Sequence, residues 1–284
     1  AYVDLLTDED KIFLQQTLDY KINIRSKLNL LFSLKFRRAS LLGTLSLKCA
    51  IVFNRLYNMG NKRIAINGQF TARKMTGQER FAYEIVKELD LIVDAKDWVL
   101  VVPKDAVNIP KLYNIPIIKY GRVKGSLWEQ VYFFYYTFRH NLLSLNLCSV
   151  MPVLKPGIIC IHDLSYKVNP QYFKTVYSFI SMLWHRVLFR FAWWFSPFIL
   201  TVSEFSKQQM IDCYKVDADK IVVVGNGWEH FTRIKEDETI KERKPNLFSK
   251  PYFFSLGSLA PNKNIDWVLK IAQNHPQYIF NIAG

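Results

Sequence analysis

A single lysine lies between the end of an apolar segment and the start of an amphipathic one. In PYFFSLGSLAPNKN, residues 251–264, an apolar run leads to a turn of small residues at Gly257, and Lys263 follows after a proline. Such a turn lets the backbone approach a ligand, the N-terminus of a helix offers free N–H groups, and the lysine adds a positive charge. Together these groups are suited to bind phosphate oxygens. The alternative is an ordinary surface lysine, since lysines are mostly exposed.

Four other stretches with polar residues or glycine also follow apolar runs that are typical of strands. In doubly wound α/β folds, ligands collect at the carboxyl ends of the strands. We therefore expect all five stretches to line a cleft between two α/β domains. The four stretches are the loop from Gly68 to Gly77, His162–Asp163, Ser203–Glu204 and Asn226–Gly227.

Each of these residues also has a purely structural interpretation. His162 could close a strand end with a hydrogen-bonded imidazole, and Gly77 could supply a positive φ. A serine followed by an acid is ordinary helix capping, which we favour over catalysis for Ser203–Glu204. Asn226–Gly227 could simply turn the chain. Trp128 and the aromatic run after it are more typical of a core than of a ligand platform.

Elements that would position these residues alternate along the chain. Apolar runs typical of strands alternate with segments whose apolar residues recur at helical spacing. This order predicts an α/β fold with a parallel sheet and helices on both of its faces. The predicted strands are RIAIN, WVLVVP, IPIIKY, GIICIHD, FILTVS and KIVVVGNG, and the predicted helices cover residues 79–89, 127–140, 175–195 and 204–214.

Shifts in composition divide the chain into four parts. The charged stretch 236–250 separates two α/β segments and is typical of a linker. A complete second α/β domain needs on the order of 100 residues, so the segment after this linker predicts only the opening strand–loop–helix–strand unit. We expect the sequence to be cut at both ends. The parts are an extension (1–58), a Rossmann-like domain (59–235), the linker, and the start of a second domain (251–284).

Basic residues are concentrated near the start of the chain. Lys and Arg total 38 against 24 Asp and Glu, a net charge of +14. Residues 21–58 contain eight basic residues and no acidic one, interleaved with apolar runs. This pattern predicts a basic amphipathic helical extension that would suit an anionic membrane surface or an acidic partner. A solvated basic face is the alternative, and no nucleic-acid motif accompanies the charge.

The most apolar stretch, residues 176–200, is not expected to span a membrane. It contains His185, Arg186 and Arg190 and is broken at Ser196–Pro197. A transmembrane helix needs about 20 nearly uninterrupted apolar residues. We therefore predict a buried helix or one that grazes a membrane surface.

Cysteine and histidine usage does not favour a metal or disulfide framework. The four cysteines contain no C-x-x-C pair, and no histidines are clustered. We expect a reducing compartment, no metal and no cofactor. His162–Asp163 could suggest a metal-dependent phosphohydrolase, but that class needs further ligands on helices, whereas this pair ends an apolar strand.

The amino-acid sequences of several stretches, and their order along the chain, resemble those of the retaining GT-B glycosyltransferases of family 4. Within that family, the likeness is greatest to mannosyl- and rhamnosyltransferase-type enzymes of bacterial surface polysaccharides. It covers residues 59–284, and residues 1–58 weakly resemble the tail of a family 2 glycosyltransferase. The matching stretches are INGQFTARKMTGQERFAYEIVKEL, GSLWEQ, LLSLNLCSVMPVLKPGIICIHDLSYKVNPQYF, ILTVSEFSKQQMIDCYKVDADKIVVVGNG and FFSLGSLAPNKNIDWVLKIAQNHP.

The resemblance implies two Rossmann-like domains that face a cleft, the first binding acceptor and the second a sugar nucleotide. Gly77 resembles the glycine of the loop near the donor diphosphate. His162 resembles the histidine beside the transferred sugar. Lys263, next to the Gly257 turn, resembles the cation that neutralises the diphosphate leaving group.

Two features depart from the family pattern, and one imitates a different fold. Asn262 replaces an arginine that often precedes the lysine, and the paired glutamates of the donor domain would lie beyond Gly284. We therefore expect no catalysis from residues 1–284 alone. The DAD of residues 217–219 imitates the metal-binding D-x-D of the other glycosyltransferase fold, but it precedes a strand, so no metal is implied.

The sequence thus predicts a retaining, metal-independent hexosyltransferase. Its donor would be a nucleotide-diphosphate sugar, and its acceptor a growing surface polysaccharide or lipid-linked oligosaccharide at the inner face of the bacterial cell membrane. Ser203, Glu204, Asn226 and Gly227 would be additional donor or acceptor contacts. The alternative is a non-catalytic scaffold of polysaccharide assembly.

Overall fold

Seven parallel strands form the main sheet of the protein. The computed structural model describes residues 63–257 and 263–283. Neighbouring strands are all parallel, in the order β3-β2-β1-β4-β5-β6-β7. The strands are β1 (Ile64–Asn67), β2 (Trp98–Val102), β3 (Ile117–Lys119), β4 (Leu143–Asn146), β5 (Ile158–Cys160), β6 (Ile199–Thr201) and β7 (Ile221–Val223).

Parallel pairing requires crossover connections, and four of the six connections between these strands contain helices. The connections from β2 to β3 and from β4 to β5, both within the described residues, contain none. Between β3 and β4, α2 and α3 run on from one another through a π-helical segment, Glu129–Phe133. The charged stretch after β7 contains a single short α-helix, α7, and its residues are mostly exposed. The helices are α1 (Gly77–Ile92), α2 (Gly125–Trp128), α3 (Phe134–Arg139), α4 (Ser165–Val168), α5 (Val176–Phe195), α6 (Glu204–Tyr214), α7 (Ile240–Arg243) and α8 (Ile265–Asn274).

Helices cover both faces of the sheet because successive strand residues point to opposite sides. In β1, Ile64 and Ile66 pack in the cluster that contains the apolar residues of α1. Ala65, between them, packs instead with Trp128 and Phe133 on the opposite face. Burial on both faces explains why the strands are almost continuously apolar. The predicted α/β fold with a parallel, doubly covered sheet is confirmed.

One central strand was missed by the sequence prediction. β4 lies between β1 and β5, yet Ser144 and Asn146 interrupt its apolar pattern. The other predicted strands are confirmed, although the observed ones are shorter, and the helices match the predicted ranges within a few residues. Trp128 and Phe133 are core residues as expected, whereas Tyr135 and Phe138 of the same aromatic run are exposed.

A second, smaller α/β unit follows the charged stretch. β8 (Tyr252–Leu256) and β9 (Ile279–Ala283) pair in parallel, and α8 connects them. This is the predicted strand–loop–helix–strand order. Tyr252, Phe253, Phe254 and Leu256 are all largely exposed, so neither face of β8 is fully covered.

Several predictions concern other parts of the chain. The basic extension, residues 1–58, lies outside the described residues, as do Pro261 and Asn262. Among the described residues, no helix is both long and apolar enough to cross a membrane. The prediction that residues 176–200 do not form a span is consistent with this finding.

Candidate active site

The strand order creates a crevice between β1 and β4. From β1 the chain moves outward to β2 and β3, and it then returns to place β4 on the other side of β1. In open α/β sheets, ligands bind outside the carboxyl ends of the strands at such a reversal. Asn67 ends β1 and Asn146 ends β4, so both side chains start at this edge.

Three buried polar side chains are hydrogen-bonded to one another at the reversal. The amide nitrogen Nδ2 of Asn67 donates to Oε1 of Glu129 at 3.0 Å and to Oδ1 of Asn146 at 3.1 Å. Asn146 Nδ2 in turn donates to the carbonyl of Ile158 on β5 at 2.9 Å. We call Asn67, Glu129 and Asn146 the switch-point cluster. Their mutual bonds offset the cost of burying three polar groups.

Glu129 reaches this cluster from the π-helical segment that follows α2. A π-helical turn carries an extra residue relative to an α-helix and is frequent at functional sites. Trp128, just before it, is fully buried and donates its indole N–H to the carbonyl of Tyr120 at 2.6 Å. This anchor fixes the helix, so the neighbouring carboxyl is directed into the protein, where Glu129 is 1% exposed.

Burial raises the pKa of Glu129 from 4.5 to about 7. The nearby charge of Arg73 and the hydrogen bond from Asn67 lower the pKa, but they offset only part of the effect of burial. Glu129 therefore exchanges a proton near neutral pH. A group with this property at a ligand-binding edge is a candidate for a functional role.

The switch-point cluster also holds the loop that leads into α1. Nη2 of Arg73 lies 3.5 Å from Oε2 of Glu129, and Nη1 lies 3.9 Å from Oε1 of Glu79 in the first turn of α1. The hydroxyl of Thr76, the N-cap residue, donates to the same Glu79 carboxylate. Arg73 thus bridges two carboxylates beside the N-terminus of α1, where free N–H groups face outward.

His162 follows β5 at the same edge. Its Nε2 lies 2.8 Å from the carbonyl oxygen of Leu147, directly after β4. Because a carbonyl only accepts, this nitrogen carries the proton, and Nδ1 is the nitrogen that can accept from a ligand. The ring packs edge-on against Phe81 of α1, with centroids 4.9 Å apart.

Burial is also the main influence on the charge of His162. It lowers the pKa of the ring below 6.5, while the Leu147 carbonyl, Asp163 and Glu79 oppose this shift. The imidazole is therefore neutral at neutral pH. His162 is a hydrogen-bonded histidine at a strand end, as the structural interpretation predicted, and this bond uses only Nε2. Its Nδ1 can still accept a hydrogen bond from a ligand.

The structure distinguishes the roles of the predicted glycines. Gly77 is the first residue of α1 and has no positive φ, so that interpretation is wrong. A Cβ built on Gly77 meets no atom within 4 Å, so the space beside it is open. At Gly68, in contrast, a Cβ would lie 2.4 Å from the carbonyl oxygen of Val101, so glycine is required for the loop to pass β2.

Capping explains the serine after β6. Oγ of Ser203 accepts from the N–H of Ser206 at 3.1 Å, which is an N-cap of α6. The hydroxyl of Ser206 donates to the carbonyl oxygen of His162 at 3.0 Å. Ser203 therefore supports the backbone of His162 through Ser206, whereas Glu204 is exposed. The capping interpretation of Ser203 is confirmed.

Local turns explain two other polar stretches. After β7, the residue with positive φ is Gly225 (74°), so the turn lies just before Asn226–Gly227, and Asn226 is exposed. Asp217 caps a short 3-10 turn by accepting from the N–H of Asp219 at 2.9 Å. The acidic DAD stretch is thus used for backbone hydrogen bonding.

Lys263 lies beside the end of β8, as its spacing predicted. A Cβ on Gly257 would lie 3.8 Å from Cγ of Lys263, so the lysine stem lies next to the glycine backbone. The N–H of Gly257 donates to the carbonyl of Ala283 at 2.9 Å, which fixes the strand end. Lys263 itself is exposed and available to an anion.

Sequence reasoning did not single out the switch-point cluster or Arg73. Glu129 lies within the stretch GSLWEQ. The sequence signal that could identify it as a site residue is an acidic side chain flanked by Trp128 and an aromatic run. Asn146 was hidden because LSLN was not predicted to be a strand. Within residues 63–257 and 263–283, no group of three or more His, Cys, Asp or Glu side chains could hold a metal ion.

No protein-family model matches the chain. Over 194 residues, it is 26% identical to the O-antigen chain mannosyltransferase RfbU of Salmonella typhimurium. The chain is similar to a glycosyltransferase. The alignment includes 65% of this chain and 50% of the relative, so the chain spans about half the length of the curated relative that it matches.

A solved structure gives a weaker likeness. HepE from Anabaena, crystallised in complex with UDP, is 13% identical and has a TM-score of 0.46, with 78% of this chain and 69% of that chain covered. This degree of likeness establishes neither fold nor function for the present chain. The α/β assignment rests on the strand order and on the helices that cover the sheet.

Proposed function

We propose that this chain belongs to a retaining glycosyltransferase of surface-polysaccharide synthesis. In this proposal, a hexose of the mannose or rhamnose type moves from a nucleotide-diphosphate sugar to a growing polysaccharide or a lipid-linked oligosaccharide. The similarity to an O-antigen mannosyltransferase supports the reaction class. The peripheral location at the inner face of the cell membrane belongs to the same proposal.

The observation that carries the proposal is the position of His162. A neutral imidazole, with Nε2 bonded to Leu147 and Nδ1 able to accept, follows β5 at the ligand-binding edge. The switch-point cluster lies at the same edge and supports the loop before α1. In the proposed site, His162 contacts the transferred sugar or the acceptor hydroxyl, while the open space beside Gly77 receives part of the donor.

Lys263 has the proposed role of stabilising the leaving group. When the glycosidic bond breaks, negative charge develops on the nucleotide diphosphate, and a fixed cation near it lowers the barrier. Lys263 is an exposed cation next to the backbone of Gly257 at the end of β8. The proposed reaction uses this cation and backbone N–H groups, without a metal or an organic cofactor.

The unit of β8, α8 and β9 would then be the beginning of the nucleotide-sugar-binding domain. Its exposed aromatic side chains support this proposal, because a strand in the interior of an α/β domain is normally covered on both faces. The remaining donor contacts would come from further parts of that domain. The acceptor would bind to the seven-stranded unit.

Nucleotide release from sugar nucleotides tests the proposed reaction. We would incubate the full-length protein with GDP-, UDP- and dTDP-linked hexoses and compare wild type with Lys263→Ala. Loss of an electrostatic stabiliser should lower turnover of the true donor by about 100-fold or more. Lys270→Ala is the matched control, because Lys270 is an exposed lysine on α8, away from its N-terminus.

The outcome separates an enzyme from a scaffold. Turnover of one sugar nucleotide that decreases in Lys263→Ala, and not in Lys270→Ala, would support the transferase. A folded protein that neither binds nor turns over any of these donors would contradict it and would favour the non-catalytic scaffold.

A further inference from the structure

Helix α5 has an apolar face toward the protein and a second one toward solvent. Met182 is buried, and Leu188, Phe189 and Ala192 are buried in one cluster with residues of the sheet and α6. On the outer side, apolar residues recur at alternating spacings of three and four along the whole helix, interrupted by one arginine. We call the following residues the α5 stripe: Val176, Ile180, Leu183, Val187, Arg190 and Trp194.

The apolar members of the α5 stripe are between 44% and 78% exposed. Tyr177, Phe179 and Phe195 widen the exposed surface at the two ends of the helix, and Val168 of α4 is also exposed. A 20-residue helix is about 30 Å long, so the exposed apolar residues extend over about that distance, with Arg190 among them. Contiguous exposed patches of this kind mark interaction sites in folded proteins.

Polar side chains in the middle of α5 do not interrupt this surface, because they are bonded on the protein side. Nε of Arg186 donates to the carbonyl of Tyr166 at 2.7 Å. The ring of His185 stacks on Tyr166, with centroids 4.0 Å apart, and Nδ1 of His185 lies 2.8 Å from the carbonyl of Ser181. The helix thus places its central polar residues inward and leaves its apolar stripe outward.

The charged residues of α5 and of the segment that leads into it are all basic, although Asp163 and Glu204 flank this segment in the sequence. Between residues 164 and 203 there are four basic residues and no acidic one. Lys167 and Lys174 are exposed near the start of the helix, and Arg190 is exposed within the stripe. The long arginine stem can lie along an apolar surface while its guanidinium reaches a polar layer. Aromatic residues at both helix ends favour the boundary between lipid and water.

This charge distribution discriminates between possible occupants. A second copy of α5 would bring another basic helix with no acid to pair with Arg190 or Lys174, so self-association is electrostatically unfavourable. An anionic lipid surface supplies both the apolar layer and the opposite charge. We propose that the α5 stripe is the surface by which this protein docks on anionic membranes, with α5 lying in the plane of the interface.

Vesicle binding tests this inference independently of any transferase activity. We would measure binding of the full chain to vesicles of phosphatidylethanolamine with phosphatidylglycerol, and to vesicles of phosphatidylcholine alone. The wild type should bind the anionic vesicles preferentially. The double variant Ile180→Glu, Val187→Glu should weaken binding at least about tenfold, because two apolar anchors are lost.

Matched variants distinguish a specific effect of the α5 stripe on binding from a general effect of added charge and from misfolding. Val107→Glu, Leu154→Glu adds the same two charges at exposed apolar sites elsewhere and should leave binding unchanged. Lys174→Gln and Arg190→Gln should each weaken binding to anionic vesicles by about fivefold, with no effect on phosphatidylcholine. Circular dichroism would show that each variant is folded.

Quenching by brominated lipids provides a second readout. Trp194 is a stripe member, so vesicle binding should bring it within reach of shallow bromine labels, and Trp194→Phe should remove most of the quenching. Trp267, exposed on α8, is the matched comparison, and Trp267→Phe should leave the quenching intact.

Three results would overturn the inference. The wild type could fail to bind anionic vesicles. The glutamate variant could bind as tightly as wild type, which would assign binding to another segment such as residues 1–62. Sedimentation could also show a dimer that the glutamate variant dissociates, which would identify a second copy as the occupant.

Discussion

Glu129 makes a specific contribution to the pH dependence of stability. Its pKa is 4.5 as an unperturbed group and about 7 in the folded protein, so between these values the folded state binds a proton that the unfolded state has released. Stability therefore falls as the pH rises through this window. This loss in the free energy of unfolding amounts to about 3 kcal/mol between pH 4.5 and pH 8, and we expect Glu129→Gln to remove it.

Denaturant unfolding at several pH values measures this effect. The stability difference between wild type and Glu129→Gln should change in favour of the variant as the pH rises from 4.5 to about 7, and it should be constant above that range. Glu238→Gln, at an exposed position, is the control and should follow wild type throughout. Parallel curves for wild type and Glu129→Gln would show that the buried carboxyl does not titrate in this range.

His162 should be a neutral ring with the proton on Nε2. Burial lowers its pKa below 6.5, and the Leu147 carbonyl accepts from Nε2. Because the unfolded state binds the proton more readily, this group's contribution to stability is complete above about pH 6.5 and decreases at lower pH. Nitrogen-15 NMR should show an unprotonated Nδ1 at pH 7. A protonated Nδ1, in either the other tautomer or the imidazolium, would contradict the assigned hydrogen bond.

At the scale of elements, Asp90 joins the end of α1 to the chain before β3. Its buried carboxylate accepts from the backbone N–H groups of Tyr113, Asn114 and Ile115 at 2.7, 2.8 and 2.6 Å. Asp90→Ala leaves these donors without an acceptor, so we expect a loss of about 3 kcal/mol in the free energy of unfolding.

An exposed aspartate in the same region is the control for Asp90. Asp94 caps a single 3-10 turn at the surface, and Asp94→Ala should cost about 1 kcal/mol or less. Chemical denaturation of both variants measures the difference. Equal losses would contradict the anchoring role of Asp90.

The limits of sequence prediction are visible in the same elements. α6 begins at Glu204 and ends at Tyr214, as predicted, because Ser203 is a strong N-cap. β4 was missed because Ser144 and Asn146 occupy buried positions that a strand usually fills with apolar residues. Hydrogen bonds to β5 and to Asn67 satisfy Asn146, and such long-range partners are not visible in a local pattern.

Some candidate site residues could be predicted from local sequence, and others could not. The location of His162 at a strand end follows from local pattern, and the spacing of Gly257 and Lys263 does as well. The raised pKa of Glu129 results from burial, and its contacts with Arg73 and Asn67, 56 and 62 positions away in the chain, offset only part of that effect. Such a property requires the packed structure, because desolvation depends on all the neighbouring elements.

At the scale of the whole molecule, the charged stretch between β7 and β8 should be the first part of residues 63–257 and 263–283 to be cut by a protease. Residues 235–239 and 241–247 are exposed, and basic residues for trypsin cleavage occur at Lys235, Lys241 and Arg243. Exposed backbone with few packing contacts is cut first. Limited trypsin digestion followed by mass spectrometry should therefore give an early cut between 235 and 244.

Basic residues held in helices of the same unit serve as the internal comparison. Arg186 is bonded to the Tyr166 carbonyl in the middle of α5, so cleavage there should follow only after unfolding. Early cleavage after Arg186, before any cut between 235 and 244, would contradict the division into a seven-stranded unit and a separate second unit.

The central claim is that the carboxyl edge of the seven-stranded sheet is the catalytic edge of a glycosyltransferase. The most direct test is sugar transfer from a nucleotide-diphosphate hexose by the full-length protein, with wild type, His162→Ala and His140→Ala compared. His140 is an exposed histidine just before β4, at the opposite edge of the sheet. We predict a loss of about 100-fold or more for His162→Ala and wild-type turnover for His140→Ala. Equal turnover by all three proteins would contradict the claim.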